Sequence, residues 1–273
     1  IKNLVKEKNK TVIFITHKLN EVMNISDRVT VMRDGKKLQT MPTKSATKEK
    51  IAELMVGREV LLSELERDSK QGQVRLEVKQ LKARDNRNLK AVKDISFQVH
   101  SGEILGIAGV EGNGQSELVE VIAGLRELES GKIIINDQDL SESSSGEIRR
   151  NGVAHIPEDR LKNGMSKEAT IAENLLMGKQ YQKDFAANKI QLKQQAVKKE
   201  AANLIEEFDI RTPSAEVSAG SLSGGNMQKM VIAREFSFDS PILLISQPTR
   251  GVDIGAIEFI HNEIMKKRNE GCA

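Results

Sequence analysis

Short runs of apolar and β-branched residues, separated by polar and glycine-rich stretches, run along this chain and predict an α/β fold. Thr11–Thr16 is a continuous apolar run that predicts a buried strand, whereas Val74–Val78 alternates as an exposed edge strand does. Glu103–Ala108 is almost wholly apolar, which is typical of a strand buried on both faces of a sheet. Further strands are predicted over residues 29–32, 95–99, 131–135 and 241–245.

Helical spacing of apolar residues predicts most of the remaining elements. The predicted helices cover residues 1–10, 18–26, 47–56, 171–178, 189–208 and 226–236. The last three lie between two strands, which predicts a helical subdomain at about 160–238 inserted in an α/β core. Arg33–Lys36 contains the Asp-Gly pair typical of hairpins and follows the strand at 29–32.

The charged and polar stretch at residues 63–73 predicts a linker between two units, 1–62 and 74–273. The chain opens at Ile1 inside a helix-like segment and closes at Asn269–Ala273, a helix-stop pattern with no strand after it. We therefore expect a fragment of a longer protein, with the second unit truncated at its C-terminus.

Composition excludes several classes of protein. The 273 residues include 42 basic and 39 acidic side chains, a net charge of +3, with no long basic block, so no nucleic-acid partner is predicted. Cys272 is the single cysteine, which excludes an intrachain disulfide and fits a reducing compartment. No apolar run approaches the roughly 20 residues of a membrane-spanning helix, so work at a membrane requires a partner that spans it.

A glycine-rich loop, Gly109–Ser116, lies between the predicted strand at Glu103–Ala108 and a helix. Its glycines let backbone N–H groups turn inward, and the following helix N-terminus adds positive potential, which favours a bound phosphate. The spacing matches the phosphate-binding motif G-x-x-x-x-G-K-[ST] except at Gln115, which replaces the Lys. The residues predicted to contact a nucleotide here are Gly109, Glu111, Gly112, Asn113, Gly114, Gln115, Ser116 and Glu117.

The replacement at Gln115 changes the expected chemistry of this loop. A lysine supplies a full positive charge to the β- and γ-phosphates, whereas glutamine donates hydrogen bonds without charge. We therefore expect weak nucleotide binding and poor stabilisation of a phosphoryl-transfer transition state. Ser116 remains as the predicted Mg²⁺ ligand. The alternative is a glycine-rich turn between strand and helix that binds nothing.

A second motif, Leu222–Lys229, begins with Leu-Ser-Gly-Gly and precedes a predicted helix. A serine hydroxyl, two bare glycine amides and a helix N-terminus together predict an anion site. The alternative is an ordinary serine cap followed by flexible glycines. The residues predicted to contact nucleotide in this motif are Leu222, Ser223, Gly224, Gly225, Asn226 and Gln228.

On these two motifs the chain resembles the ABC transporter ATPases, and most closely the tandem-cassette ATPases of simple-sugar and nucleoside importers. Ile156–Arg160 and Gln247–Asp253 look like the second cassette of those proteins. The resemblance implies a P-loop NTPase fold of the ABC-cassette type with an inserted helical subdomain, which binds ATP and Mg²⁺. It also implies that residues 1–62 are the C-terminal remnant of a first cassette, followed by most of a second.

The resemblance implies that the second cassette has lost its catalytic acids. In the family an apolar strand ends in Asp-Glu, but here Ser246 and Gln247 follow Ile242–Ile245. Glutamine takes no proton, so the general base is lost, and Ser246 weakens the surroundings of the metal. Glu158 stands where the family has a glutamine-containing loop that links the γ-phosphate to the transmembrane partner. Its carboxylate suits Mg²⁺ but repels phosphate; the alternative is a surface Glu-Asp-Arg salt-bridge cluster. Asp253 matches an aspartate at the family's dimer seam.

His17, after the first apolar run, resembles the family's switch histidine, which contacts the γ-phosphate as a catalytic residue. Cassettes of the family pair head to tail, so His17 and the motif Leu222–Asn226 would meet at one ATP in a competent site. The loop Gly109–Ser116 would then line a second, degenerate site. The alternative for His17 is a cap or a surface residue.

The expected function is that of an ATP-binding subunit that couples ATP binding and hydrolysis to import of a nucleoside or simple sugar. It would lie peripherally on the cytoplasmic face of the plasma membrane. Its partners would be integral membrane permease subunits, another cassette and, indirectly, an extracellular solute-binding protein. Three alternatives remain: an active ATPase in which Asn113 or Gln115 and Glu158 compensate, a soluble ABC-fold module without a membrane partner, and a fragment inactive by itself.

Overall fold

A computed structural model describes residues 10–33, 35–59, 72–187 and 191–273. The predicted helix at residues 1–10 and the predicted linker at 63–73 lie largely outside the described residues. The chain divides into two compact units. The first comprises Ile1–Leu65 with Asp253–Phe259, and the second Glu66–Val252 with Ile260–Ala273.

Among its described residues, the first unit contains two complete α-helices and a hairpin. Its elements are α1 (Leu19–Ile25), β1 (Arg28–Arg33), β2 (Lys36–Pro42) and α2 (Lys48–Val56). The strands pair antiparallel, as the Asp-Gly signal predicts. Helix α2 starts where the Thr47 hydroxyl accepts a hydrogen bond from the Lys50 amide, and ends at Gly57, whose φ of 90° only glycine adopts easily. The predictions for these helices and for the first strand are confirmed.

The strand predicted at Thr11–Thr16 is wrong. The segment forms no strand, and the side chains of Ile13 and Ile15 are 92% and 99% exposed. No strand among the described residues pairs with it. An apolar run shows that a segment favours burial, but a strand also needs a neighbour to accept and donate backbone hydrogen bonds.

The second unit contains the remaining elements. They are β3 (Val74–Arg84), β4 (Lys90–His100), α3 (Gln115–Ile122), β5 (Ser130–Ile135), β6 (Gln138–Asp139), α4 (Ser145–Arg150), β7 (Val153–Ile156), α5 (Ile171–Leu176), α6 (Gln194–Glu207), α7 (Gly224–Phe236), β8 (Ile242–Ile245) and the later part of α8 (Ile254–Asn269). A π-helical turn spans Arg160–Gly164. Helices α5, α6 and α7 follow β7 and precede β8, which agrees with the predicted α/β fold with an inserted helical segment.

Four antiparallel strands form a sheet in the order β4-β3-β5-β6. Val78 of β3 pairs with Phe97 on one side and with Ile133 on the other. Strand β3 is therefore internal, and the prediction of an exposed edge strand is wrong. Leu76 and Val78 are almost fully buried, because α3 and its neighbours cover the face on which these residues alternate.

Strands β7 and β8 form a separate parallel pair. Val153 lies opposite Ile242, and Ile156 lies opposite Ile245, so both strands end at the same level. The Ser246 amide donates to the Ile156 carbonyl oxygen at 3.0 Å and continues the ladder by one residue. This register brings the residues that follow each strand side by side.

The strand predicted at Glu103–Ala108 is also wrong. The segment is not a strand, and Ile104, Leu105 and Ile107 are 40–52% exposed. Within the part of the chain that the structure describes, no strand is paired with it. The loop at Gly109–Ser116 therefore follows a segment without regular secondary structure. Across the described ranges, none of the helices is long and apolar enough to cross a bilayer.

Candidate functional site

The glycine-rich loop turns sharply into helix α3. Gly112 and Gly114 have φ values of 88° and 96°, which favour glycine. The Asn113 amide donates to the Val110 carbonyl oxygen at 3.2 Å and closes the turn. A Cβ on Gly114 would collide with the carbonyl oxygen of Ala91 in β4, whereas none of the described residues would obstruct one on Gly112. The loop is thus held close to β4 at Gly114 and is open at Gly112.

The Gln115 side chain folds back over this loop. Its Nε2 donates to the Val110 carbonyl oxygen at 3.2 Å, and its amide fills the space that a Cβ on Gly109 would need. The Gln115 side-chain amide is therefore engaged in a contact within the loop itself. The loop and the first turn of α3 contain two carboxylates, Glu111 and Glu117, and no lysine or arginine between residues 109 and 118. The loop therefore offers a phosphate backbone N–H groups but no positively charged side chain of its own.

Glu158, just after β7, accepts hydrogen bonds from three side chains. Ser116 Oγ donates to Oε2 at 2.9 Å. Gln247 Nε2 donates to Oε1 at 3.1 Å, and Arg250 Nη1 donates to the same oxygen at 2.6 Å as an ion pair. We call Ser116, Glu158, Gln247 and Arg250 the Glu158 cluster. Glu158 thus forms an ion pair with Arg250 and also contacts the glycine loop, so its nucleotide role and the alternative of a surface salt-bridge cluster both stay predictions.

Gln247 reaches Glu158 from a left-handed turn after β8. Its φ is 44°, which is uncommon for a residue other than glycine, and its carbonyl oxygen accepts from the Arg250 amide at 3.1 Å. The side-chain amide has no proton-accepting site at neutral pH. The Glu158 carboxylate already accepts from several donors. The hydrogen bonds of the Glu158 cluster join its residues to one another, and the cluster does not offer a free base.

The Glu158 cluster offers two adjacent oxygens to Mg²⁺, the Ser116 hydroxyl and one Glu158 carboxylate oxygen. Mg²⁺ needs octahedral oxygen coordination, usually with one or two carboxylates. Here the second Glu158 oxygen is bound to the Arg250 cation, which opposes a further positive ion. The described residues contain no group of three acidic, His or Cys side chains that could hold a metal. As arranged, the site does not fit Mg²⁺, and the role of Ser116 as a metal ligand stays a prediction.

The second motif caps helix α7. Ser223 Oγ accepts from the Asn226 amide at 3.4 Å and from Asn226 Nδ2 at 3.1 Å. Asn226 Oδ1 accepts from the Arg211 amide at 3.0 Å, so this side chain is engaged within the unit. Leu222 and Gln228 are 7% and 3% exposed. The exposed Ser223 is the side chain best placed to meet a ligand; nucleotide contacts by the motif stay a prediction.

Arg160 links this motif to the turn after β8, although the sequence motifs did not predict it as a site residue. Its Nη1 donates to the Arg250 carbonyl oxygen at 2.7 Å, and its Nη2 donates to that of Gly251 at 3.4 Å. Arg250, which pairs with Glu158, was not predicted as a site residue either. Both arginines lie within five residues of the ends of β7 and β8, and the parallel pairing of these strands is the signal that could have revealed them.

Two predicted residues belong to the first unit. His17 is exposed and precedes α1. Asp253 Oδ1 accepts from the Ala256 amide at 2.9 Å at the beginning of α8. Asp253 therefore has a local structural contact, while its role at a dimer seam and the catalytic role of His17 stay predictions. Ser246 follows β8 at half exposure, beside the Glu158 cluster residue Gln247.

Comparisons with known proteins agree with these motifs. The family model of the ABC transporter matches residues 92–250. The chain is 42% identical over 273 residues to the nucleoside import ATP-binding protein NupA of Lactococcus lactis subsp. cremoris. It is 44% identical over 273 residues to the guanosine import ATP-binding protein NupO of Bacillus subtilis. These matches take in 100% of this chain but 54% and 53% of the relatives, so the chain spans about half their length.

Solved structures match the fold. A nucleotide-free ATP-binding cassette from an ABC transporter superposes with a TM-score of 0.61 at 22% identity, covering 73% of this chain and 79% of that one. A dimeric post-hydrolysis cassette bound to ADP and Pi gives a TM-score of 0.60 at 22% identity, covering 71% and 83%. The predicted P-loop NTPase fold of the cassette type is confirmed.

Proposed function

The chain belongs to the ABC transporter family, and from this premise we propose that it is part of the ATP-binding subunit of an importer for a nucleoside or simple sugar. Relatives named for the import of nucleoside, guanosine and glucose support this class of solute. Two relatives that match over the whole chain are named for nucleoside and guanosine import, which favours a nucleoside. The subunit would dock peripherally on integral membrane permease subunits at the cytoplasmic face.

For the cassette formed by residues 74–273, we propose a nucleotide site that binds ATP without hydrolysing it. The Glu158 cluster is the observation that supports this proposal. Its carboxylate is paired with Arg250, and Gln247, which takes the place of the family's glutamate base, donates a hydrogen bond to that carboxylate. Two groups that would stabilise the negative charge of the phosphoryl transition state are missing from this site. One is a lysine at position 115, and the other is a metal cation held by free carboxylates.

The proposed role of this cassette is structural and regulatory. It would pair head to tail with another cassette and present Leu222–Asn226 to the ATP held there. His17, in the remnant of the first cassette, would contact that same ATP. Hydrolysis would then belong to one site of an asymmetric pair. An extracellular solute-binding protein would deliver the solute to the permease without touching this chain.

The test of the import function is uptake of radiolabelled guanosine and glucose by cells with and without the gene that encodes this chain. We expect loss of guanosine uptake in its absence and recovery when the intact gene is restored. Unchanged uptake of both solutes would contradict the proposal. Leu222→Ala is unsuitable for testing the motif because Leu222 is buried. Ser223→Ala removes an exposed hydroxyl that also caps helix α7, so reduced uptake by this variant is assigned to the motif only when its helix content is unchanged.

A further inference from the structure

We propose that Arg160 is a positioning residue that couples the Glu158 cluster to the start of helix α7, where the Leu-Ser-Gly-Gly motif lies. The inference rests on the proposed function, in which the cluster lines one nucleotide site and the motif serves another. Arg160 would then pass the state of the first site to the second. The relevant residues all belong to the second unit.

Arg160 and Glu158 bind different groups of the same turn. Glu158 binds the side chain of Arg250 at 2.6 Å, whereas Arg160 binds the backbone carbonyl oxygens of Arg250 and Gly251 at 2.7 and 3.4 Å. Residues 158 and 160 are close neighbours after β7. A change in the Glu158–Arg250 ion pair therefore affects a turn to which Arg160 is also hydrogen-bonded.

The same Nη2 of Arg160 that donates to Gly251 also faces the first residue of α7. A Cβ on Gly224 would lie 2.9 Å from Arg160 Nη2 and 3.1 Å from the Gly251 carbonyl oxygen. Both distances are shorter than ordinary carbon contacts, so an alanine at position 224 would require Arg160 or the turn at Gly251 to shift. Gly224, Gly251 and Arg160 thus meet at one point, which gives the first motif glycine a steric role within the chain.

The setting of Arg160 indicates a positional role. Its Nε is buried and, among the described residues, has no hydrogen-bond partner. Burial lowers the pKa of the Arg160 guanidinium from its usual value, and neighbouring Asp159 opposes that shift. An unpaired buried donor opposes stability, while the flat, forked guanidinium reaches two carbonyls and a glycine at once. A lysine has the charge but not this geometry.

These contacts would transmit a displacement of Ser116 to the start of α7. A phosphate that draws Ser116 away from Glu158 changes the hydrogen bonds of the carboxylate that holds Arg250. The turn at Arg250–Gly251 then moves against Arg160, and Arg160 moves against Gly224. The start of α7 shifts, and with it the amides of the motif offered to the neighbouring cassette.

The test is a double-mutant cycle on the whole chain without nucleotide, read by hydrogen exchange of the backbone amides in residues 222–230. Glu158→Gln removes the charge that holds Arg250, and we expect it to change this exchange rate by about threefold or more in the otherwise unchanged chain, as for residues that share partners. In an Arg160→Lys background the same substitution should change the rate by less than about twofold. Lys162→Ala, in the exposed turn nearby, is the matched control and should preserve the full effect.

Equal effects of Glu158→Gln with and without Arg160 would overturn the inference. Gly224→Ala provides a second variant if Arg160→Lys fails to fold, since it disturbs the same contact from the helix side and should also uncouple the two regions. Nucleotide titration is measured separately. Failure of ATP to bind would contradict the proposed nucleotide site, while the exchange cycle would still decide whether Arg160 couples the two regions.

Discussion

Arg250 Nη1 lies 2.6 Å from Oε1 of Glu158, and the other oxygen of that carboxylate accepts a hydrogen bond from Ser116. The Glu158 carboxylate, which would bind Mg²⁺, is thus already paired with the positively charged side chain of Arg250. The glycine loop, the end of β7 and the turn after β8 meet in this one carboxylate. Most of our expectations for this cassette depend on that arrangement.

Replacing Arg250 should make nucleotide binding dependent on Mg²⁺. In the unmodified chain we expect the Kd for ATP to change by less than about threefold when Mg²⁺ is replaced by EDTA, because the carboxylate is already paired. In Arg250→Ala the freed Glu158 carboxylate repels phosphate without metal and accepts Mg²⁺ with it, so the same comparison should give about tenfold. Isothermal titration calorimetry measures both values.

Arg150→Ala is the matched control for this experiment, because Arg150 is an exposed arginine at the end of α4. It should behave as the unmodified chain does. A strong Mg²⁺ requirement in the unmodified chain would mean that Glu158 releases Arg250 to bind metal, contrary to the pairing described above.

Restoring the missing lysine should strengthen nucleotide binding. Gln115→Lys adds a positive charge beside a loop whose own charges are Glu111 and Glu117. We expect a gain in ATP affinity of about tenfold, or ~1.4 kcal/mol. Gln115→Met has a similar length without charge and should give no gain. Equal affinities for the lysine and methionine variants, measured by fluorescent-nucleotide titration, would show that the phosphates do not face residue 115.

Two glycines separate backbone strain from a steric clash. Gly114 and Gly112 both have positive φ, but a Cβ on Gly114 alone would collide with the Ala91 carbonyl oxygen. We expect Gly112→Ala to lower the free energy of unfolding by about 1 kcal/mol, and Gly114→Ala by about 2–4 kcal/mol with loss of nucleotide binding. Urea unfolding measures the difference. Equal losses would mean that the loop moves freely away from β4.

Stability should fall in mild acid because of His155. Burial lowers the pKa of His155, and the nearby Arg149 adds to this effect, while Glu235 and Glu120 oppose it. The unfolded chain therefore binds a proton at a higher pH than the folded chain does, so the free energy of unfolding decreases as pH falls below about 6.5. His155→Gln should remove part of this decrease when urea unfolding is compared at about pH 5.5 and 7.5. An unchanged pH dependence in the variant would assign the effect to other groups.

The sequence predicts the local elements better than their partners. Apolar alternation and the Asp-Gly signal correctly indicate β1 and its hairpin, and the run Ile242–Ile245 correctly indicates β8. The equally apolar runs Thr11–Thr16 and Glu103–Ala108 form no strand, because strand formation also depends on a neighbouring chain segment. Strand β7, only four residues long and interrupted by a histidine, gave no clear alternation and was not predicted.

The candidate site shows a similar division. Motif spacing correctly locates the glycine turn before α3 and the cap of α7, since both depend on residues close together in the sequence. The contacts of Arg250 with Glu158 and of Arg160 with Gly251 join residues about 90 positions apart. They depend on the parallel register of β7 and β8, which no spacing within either segment specifies.

The most direct test of the account is a single-turnover experiment with ATP labelled at the γ-phosphate and an excess of the purified chain. We expect the chain to retain the nucleotide and the label recovered from the complex to remain ATP, with phosphate released at the rate seen in buffer alone. Gln115→Lys should hold more ATP without releasing phosphate faster. Rapid release of labelled phosphate by the unmodified chain, in the absence of any other protein, would contradict the claim that this pocket binds without cleaving.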